Sequence, residues 1–454
     1  MLVRIKIGNF LSFDSPREFN MLTGEYRRLS NHVYPHKGIN ILKFAAIYGA
    51  NGSGKSNFIL SLDAMQDIVY NGGLGKNSIN NFKLNDSKKN ATPTMFEIEI
   101  ITGGTAYIYG FEINANRIES EWLYQSGLGE KKDSLIFNRI EREKLIEVEV
   151  NEKLTKTSKD RVLFEHYSSK VLKSDQLLLS TLYEGELKSL HKDVKAVWDW
   201  FYSLNIIFPR ASPRWLLFNL INNANFEKFS NEILSKIDTG IKRLHIKTFP
   251  LESYFGEDDK KEANKIKDEL YANEEIPIPL ETDVLAIVEN NEPVIKKLLI
   301  EHIGFGEENL FTFFEESDGT KRVVEYLVML YSLVNNTPKS QQSVYIIDEI
   351  ERSIHPCLIK VLLEKLSGED IKGQLIFSTH ESNVLDLKLF RPDEIWFSEK
   401  DSKNGTSSFY PLSEYEVRTD FNVRNGYLNG RFGAIPFLGD FSNLNWNKHA
   451  EIYE

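Results

Sequence analysis

Gly49-Ala50-Asn51-Gly52-Ser53-Gly54-Lys55-Ser56 follows directly on an apolar run, INILKFAAIY, residues 39–48. The octet fits G-x-x-x-x-G-K-[ST] at every fixed position. Glycines let successive backbone N–H groups curl around phosphate oxygens. Downstream, Phe58, Leu62, Met65 and Ile68 recur at the spacing of one helix face, and Asn71-Gly72-Gly73 ends the pattern. Residues 39–71 therefore read as strand, glycine turn and helix. The helix start near Ser56 points its positive end at the same anion. Lys55 is expected to put its charge on the β- and γ-phosphates of a nucleotide, and Ser56 its hydroxyl on Mg²⁺. Asn51, Gly52, Ser53, Gly54 and Asn57 complete the expected cradle.

Three further stretches carry chemistry. Val344-Tyr345-Ile346-Ile347 is an apolar strand ending in Asp348-Glu349. Carboxylates at the C-terminal end of a buried strand stand where α/β sheets bind ligands. Asp348 is expected in the Mg²⁺ shell and Glu349 as the base that polarises water. Leu375-Ile376-Phe377 leads into Ser378-Thr379-His380, placing a histidine within reach of a γ-phosphate. Glu316-Ser317-Asp318-Gly319-Thr320-Lys321-Arg322 opens a helix marked by Val323, Leu327, Leu330 and Val334. A serine and a glycine at a helix start make a cap and an anion site.

Outward from these motifs, residues 2–13 alternate as a half-buried strand, and TMFEIEI, AYIYGFEI and LIEVEVN between 94 and 150 read as an antiparallel sheet. From about 165 to 300 the texture is mostly helical. Strand and helix alternate again after 310, which argues for a largely parallel sheet split in sequence. The expected fold is α/β: a split P-loop sheet, an antiparallel β lobe and an inserted, mostly helical domain. Residues 1–126 form the first half of the split unit with the β lobe, 127–305 the insertion, 306–400 the second half and 401–454 a tail. Within the insertion, Trp198, Trp200 and Trp215 read either as core or as an exposed interface. Asp393-Glu394 reads as a surface pair.

Lys and Arg total 55 against 66 Asp and Glu, a formal charge of −11, which excludes a globally basic nucleic-acid coat. The single cysteine, Cys357, excludes an internal disulfide and a multi-cysteine zinc site. A free thiol with no signal-peptide pattern points to the cytoplasm. No stretch of ~18 apolar residues suggests a membrane span.

The four stretches, in this order, resemble the ABC-type ATPases of the SMC, RecF and overcoming-lysogenization-defect group. Gly49–Ser56 resembles their Walker A loop, Asp348-Glu349 their Walker B aspartate and catalytic glutamate, and His380 their switch histidine. Ser317-Asp318-Gly319-Thr320-Lys321 resembles a diverged signature motif, with Asp318 in place of a glycine. Asp348-Glu349-Ile350-Glu351-Arg352-Ser353-Ile354-His355-Pro356 resembles the "DEPE…LHP" segment of the RecF and lysogenization-defect branch. Asn9-Phe10-Leu11-Ser12-Phe13 resembles their first strand. Among these relatives the chain is most similar to stand-alone ATPases of bacterial anti-phage systems, of the PARIS, AbiL and RloC kinds, whose tail resembles Tyr427–Pro436. The resemblance implies Mg²⁺-dependent ATP hydrolysis. It also implies a homodimer or higher homo-oligomer in which ATP is sandwiched between heads, with Ser317, Gly319 and Lys321 reaching the partner's nucleotide. A sensor or scaffold controlling an effector encoded nearby is the first functional expectation. A RecF-like repair ATPase on DNA ends or gaps is the alternative, with DNA as its partner. No nuclease constellation is read, so a nuclease would be a separate protein.

Overall fold

The computed structural model describes residues 1–75, 79–84, 92–114, 116–143, 145–152, 155, 157–184, 192–209, 216–256, 259–272, 276–304, 310–335, 343–418 and 420–436.

The centre is a six-stranded sheet in the order Leu204–Ile207, Val344–Ile347, Gln374–Ser378, Phe44–Tyr48, Ile395–Lys400, Ser407–Pro411. The first five run parallel and the last is antiparallel. The split nature of the sheet was expected. The membership of Leu204–Ile207, a strand from within the insertion, was not.

Period-two alternation divides the strand residues between two cores. Ala45, Ile47, Val344, Ile346, Ile376 and Trp396 pack on one face, with Phe58 and Leu62 of the helix Lys55–Tyr70. Phe44, Tyr48, Tyr345, Ile347, Phe377 and Phe397 pack on the other, with Val323, Leu327, Ile359 and Leu363 of two further helices, Asp318–Val334 and Pro356–Gly368.

Above the first core lies a seven-stranded antiparallel sheet. Its order is Leu145–Val150, Ser134–Arg142, Arg117–Gln125, Thr105–Asn114, Thr94–Thr102, Leu2–Gly8, Arg17–Asn20. The expected boundary after residue 126 therefore falls inside one sheet. Ser120–Gln125 pair with Ser134–Ile140, so the β lobe continues to Val150.

Beyond it, helix dominates up to Lys236, the end of the helix Ala224–Lys236. The expected helical texture gives way after that. Ile241–Pro250, Ile278–Glu281, Val284–Glu289, Glu292–His302 and Leu310–Thr312 form an antiparallel sheet, with the helix Lys260–Ala272 laid on it. Glu292–His302 hides its alternation because Lys296 points inward and is neutralised there by Glu289, at 2.7 Å. Leu251, Ala263, Ile266, Leu270, Val284, Ala286 and Ile295 form a small core of their own in this part.

Of the insertion's tryptophans, Trp200 is core. Trp198 is half-buried against the first core and stacks on Tyr183, with ring centroids 3.8 Å apart, and beside Tyr202. Trp215 lies outside the described residues. No described helix is long and apolar enough to cross a membrane.

Candidate nucleotide site

Parallel pairing places Ile347 opposite Phe377 and Ser378 opposite Ile47, so the three central strands end together. Everything that follows those ends, namely residues 49–56, 348–351 and 379–380, is delivered to one edge of the sheet. The chain folds this way because each strand is uniformly buried and can close its hydrogen bonds only between two others.

Two glycines in the first loop have no substitute. A Cβ on Gly49 would overlap the Ser398 carbonyl, and one on Gly54, at φ +115°, would overlap Ser407 Oγ. The Ser398 hydroxyl in turn donates to the Ser53 carbonyl at 3.0 Å, pinning the loop to the neighbouring strand. Gly54 stands at the cap position of Lys55–Tyr70, and no side chain caps that helix. The first-turn amides are thus left for a ligand. Lys55 folds back, its Nζ donating to the carbonyls of Gly49 at 2.7 Å and Ala50 at 3.1 Å. Burial lowers its pKa to about 8, against the opposing pull of Asp348, Glu351 and Glu349.

A cavity of about 640 Å³ opens over this loop. Asn51, Gly52, Ser53, Gly54, Lys55, Ser56 and Asn57 line it, as do Glu349 and His380. Asp348 lies beneath, buried, its Oδ1 accepting the Ser378 hydroxyl at 2.6 Å. The same hydroxyl accepts the Glu349 N–H at 2.8 Å. Ser378 therefore clamps the two carboxylate residues. Glu349 sits at φ +51°, a strained conformation for a residue with a side chain, which turns its carboxylate out beside Arg352, at 3.5 Å. The His380 imidazole is held below its usual pKa, first by burial and then by Lys55.

Glu351 and Arg352 also line the cavity. They were read only as part of a longer motif, with no role. The carboxylate in the "DEPE"-like spacing was the available signal.

Ser317, Gly319 and Lys321 are not in this cavity. Ser317 caps the helix Asp318–Val334 by accepting Thr320 N–H at 3.1 Å, as expected. A Cβ on Gly319 would come 2.6 Å from the Ser353 carbonyl, so that approach needs glycine. Lys321 lines a separate cleft with Asp318, Arg322 and Arg352.

Asp393 and Glu394 are not on the surface. Both are buried, Asp393 gripped by Arg391 at 2.8 Å and Glu394 bonded to His32 Nδ1 at 2.9 Å. They support the fold and do not face the cavity.

Phosphate and Mg²⁺ fit these residues. The glycine-only cradle, the uncapped helix start and the lysine suit an anion. The hydroxyl of Ser56 and the carboxylate of Asp348 are hard oxygen donors of the kind Mg²⁺ takes. The fold and site thus define a P-loop protein of the α/β class. Residues 44–386 match the family described as "AAA domain, putative AbiEii toxin, Type IV TA system". The chain belongs to that family.

No curated protein matches the chain. Among solved structures, it is similar to an SMC head domain from Thermotoga maritima at 14% identity, covering 90% of this chain and 98% of that one, TM-score 0.36. It is also similar to an Smc head bound to the C-winged helix domain of ScpA, at 12% identity, 90% and 97% coverage, TM-score 0.44. A third is an Smc head with an extended coiled coil bound to the C-terminal domain of ScpA, derived from Pyrococcus furiosus. The match is 14% identical, covers 90% and 96%, and has TM-score 0.37.

Proposed function

We propose that the chain is a Mg²⁺-dependent ATP hydrolase acting as sensor or scaffold in an anti-phage defence system, where it controls a separate effector. The carrying observation is the convergence of Lys55, Glu349 and His380 on one cavity above Asp348. The abortive-infection name of the family supports the biological setting.

Lys55 and the first-turn amides hold the β- and γ-phosphates. Ser56 and Asp348 hold Mg²⁺, which supplies charge neutralisation when bound. Glu349 orients a water and takes its proton as the water oxygen bonds to the γ-phosphorus. The bond from that phosphorus to the β–γ bridging oxygen breaks, giving ADP and phosphate. His380, kept neutral, lines the same cavity as Lys55 and is placed to reach the γ-phosphate.

The signature-like residues complete the site from a second copy. Ser317 and Gly319 present the start of a 17-residue helix that does not face its own chain's cavity. Two heads facing each other would thus each close the other's nucleotide. The insertion and tail are left to choose the effector.

The test is MgATP turnover by wild type and Glu349→Gln, with sedimentation of both. Turnover in the wild type, none in the variant and an ATP-dependent dimer of the variant are expected. Equal turnover in the two removes Glu349 from its role. A monomer indifferent to ATP at micromolar concentration removes the sandwich.

A further inference from the structure

Glu351 has no role in the hydrolytic scheme above, yet it is built into the same cavity. One carboxylate oxygen, Oε1, accepts the backbone N–H of His380 at 2.6 Å. The other, Oε2, is buried and makes no hydrogen bond within the chain. A buried carboxylate oxygen left unpaired is costly, and such a group in a folded protein calls for an explanation.

The bond to His380 crosses between two loops. Glu351 belongs to the turn that starts with Asp348 and Glu349, where Ile350 N–H donates to the Ser378 carbonyl at 3.1 Å. His380 belongs to the loop after the neighbouring strand. Ser378 ties the roots of these two loops together, and Glu351 ties their tips. The histidine's own ring makes no part of this link, so its imidazole stays available to a ligand while its backbone is held.

We propose that Glu351 is a positioning residue for hydrolysis. It accepts the His380 N–H and so fixes the distance between the histidine loop and the loop bearing Glu349. The two groups that flank the γ-phosphate then move as one body. The requirement is an acceptor atom at the right reach, not a negative charge. This rests on the hydrolase reading.

The experiment compares wild type, Glu351→Gln, Glu351→Asp and Glu351→Ala for kcat, KM and equilibrium affinity for a fluorescent ATP analogue. Thermal unfolding is run alongside. Glu351→Gln keeps an oxygen that can accept His380 N–H and should retain turnover close to wild type. Glu351→Asp keeps the charge but loses one methylene of reach. Glu351→Asp and Glu351→Ala should each lose about 100-fold in kcat, the order of effect of a small misplacement, with affinity unchanged. Amide exchange at 379–381 should speed up in Asp and Ala variants and not in Gln, a readout independent of turnover. An active Ala variant, or an active Asp variant beside a dead Gln variant, overturns the proposal. A wild type that binds ATP without turnover defeats the hydrolase reading itself, and is recognised from the wild-type arm alone.

Discussion

Ser378 is a single hydroxyl with two obligations, donating to Asp348 and receiving from Glu349 N–H. Ser378→Ala leaves a buried carboxylate oxygen and a backbone N–H without a partner. The expected loss is about 1–3 kcal/mol of stability. Denaturant unfolding measures it, and an unchanged midpoint would show that neither bond matters. At His380 the pKa is lowered, so the imidazole is neutral at pH 7 and gains a proton only when pH falls below its ordinary value of 6.5. Turnover should not fall on the acid side until the pH drops below that value. A wild-type decline already under way at pH 7, absent in His380→Gln, would reverse the sign assigned to burial.

The sequence could group Asn51 to Asn57, which line one cavity, because G-x-x-x-x-G-K-[ST] allows few residue types at fixed spacing. Glu351 was in plain view but mute. Its meaning lies in a bond to a backbone amide 29 positions away.

Among the elements, the segment around Asp393 and Glu394 shows best why some of the structure could not be read. Two adjacent carboxylates before a strand look solvated. Their partners are His32, far back in the chain, and Arg391, whose guanidinium also donates to the carbonyls of Tyr26 and Arg28. His32 completes a buried chain by bonding Ser367, at 3.0 Å to Oγ. His32→Ala leaves Glu394, fully buried, with the Arg391 N–H but without its side-chain partner. The expected cost is about 1–3 kcal/mol, seen as a lowered unfolding midpoint with nucleotide affinity per folded molecule intact. A loss under about 0.5 kcal/mol, the scatter of surface substitutions, would mean water replaces the histidine.

The tail is likewise an element with a function in packing. Phe432 is buried against Phe397, and Tyr427 stands edge-on to Tyr48, the residue before the phosphate loop. The sequence of Tyr427–Pro436 showed a resemblance to a shared tail but no packing role. Gly426 is explained by the rings of Phe421 and Phe432, which a Cβ would meet at 2.8 and 2.9 Å.

Across the whole molecule, two cores share the central sheet and a third serves the distal insertion alone. Leu270→Ala, at a fully buried site of that third core, should cost about 2–5 kcal/mol locally. It should speed amide exchange over 251–302 while ATP affinity stays at the wild-type value. Loss of ATP binding in a folded Leu270→Ala protein would show that the small core governs the head. The outline of the head was readable because buried parallel strands have a strong apolar signature. The distal sheet was not, because charged residues such as Lys296 stand at buried positions of its strands and break the apolar alternation.

The central sheet also has a history written into its order. The seven-stranded antiparallel sheet lies wholly between Leu2 and Val150, and five of its strands, Thr94–Thr102 to Leu145–Val150, pair in sequence order, so it can assemble as it leaves the ribosome. Phe44–Tyr48, by contrast, lies between Gln374–Ser378 and Ile395–Lys400. At about 5–20 residues per second, it must wait roughly 20–70 s for its neighbours to be synthesised. Until then the phosphate loop hangs from an unpaired, wholly apolar strand. Nascent chains stopped short of Ser378 should carry the complete octet and yet retain no ATP, and should depend on a chaperone to stay soluble.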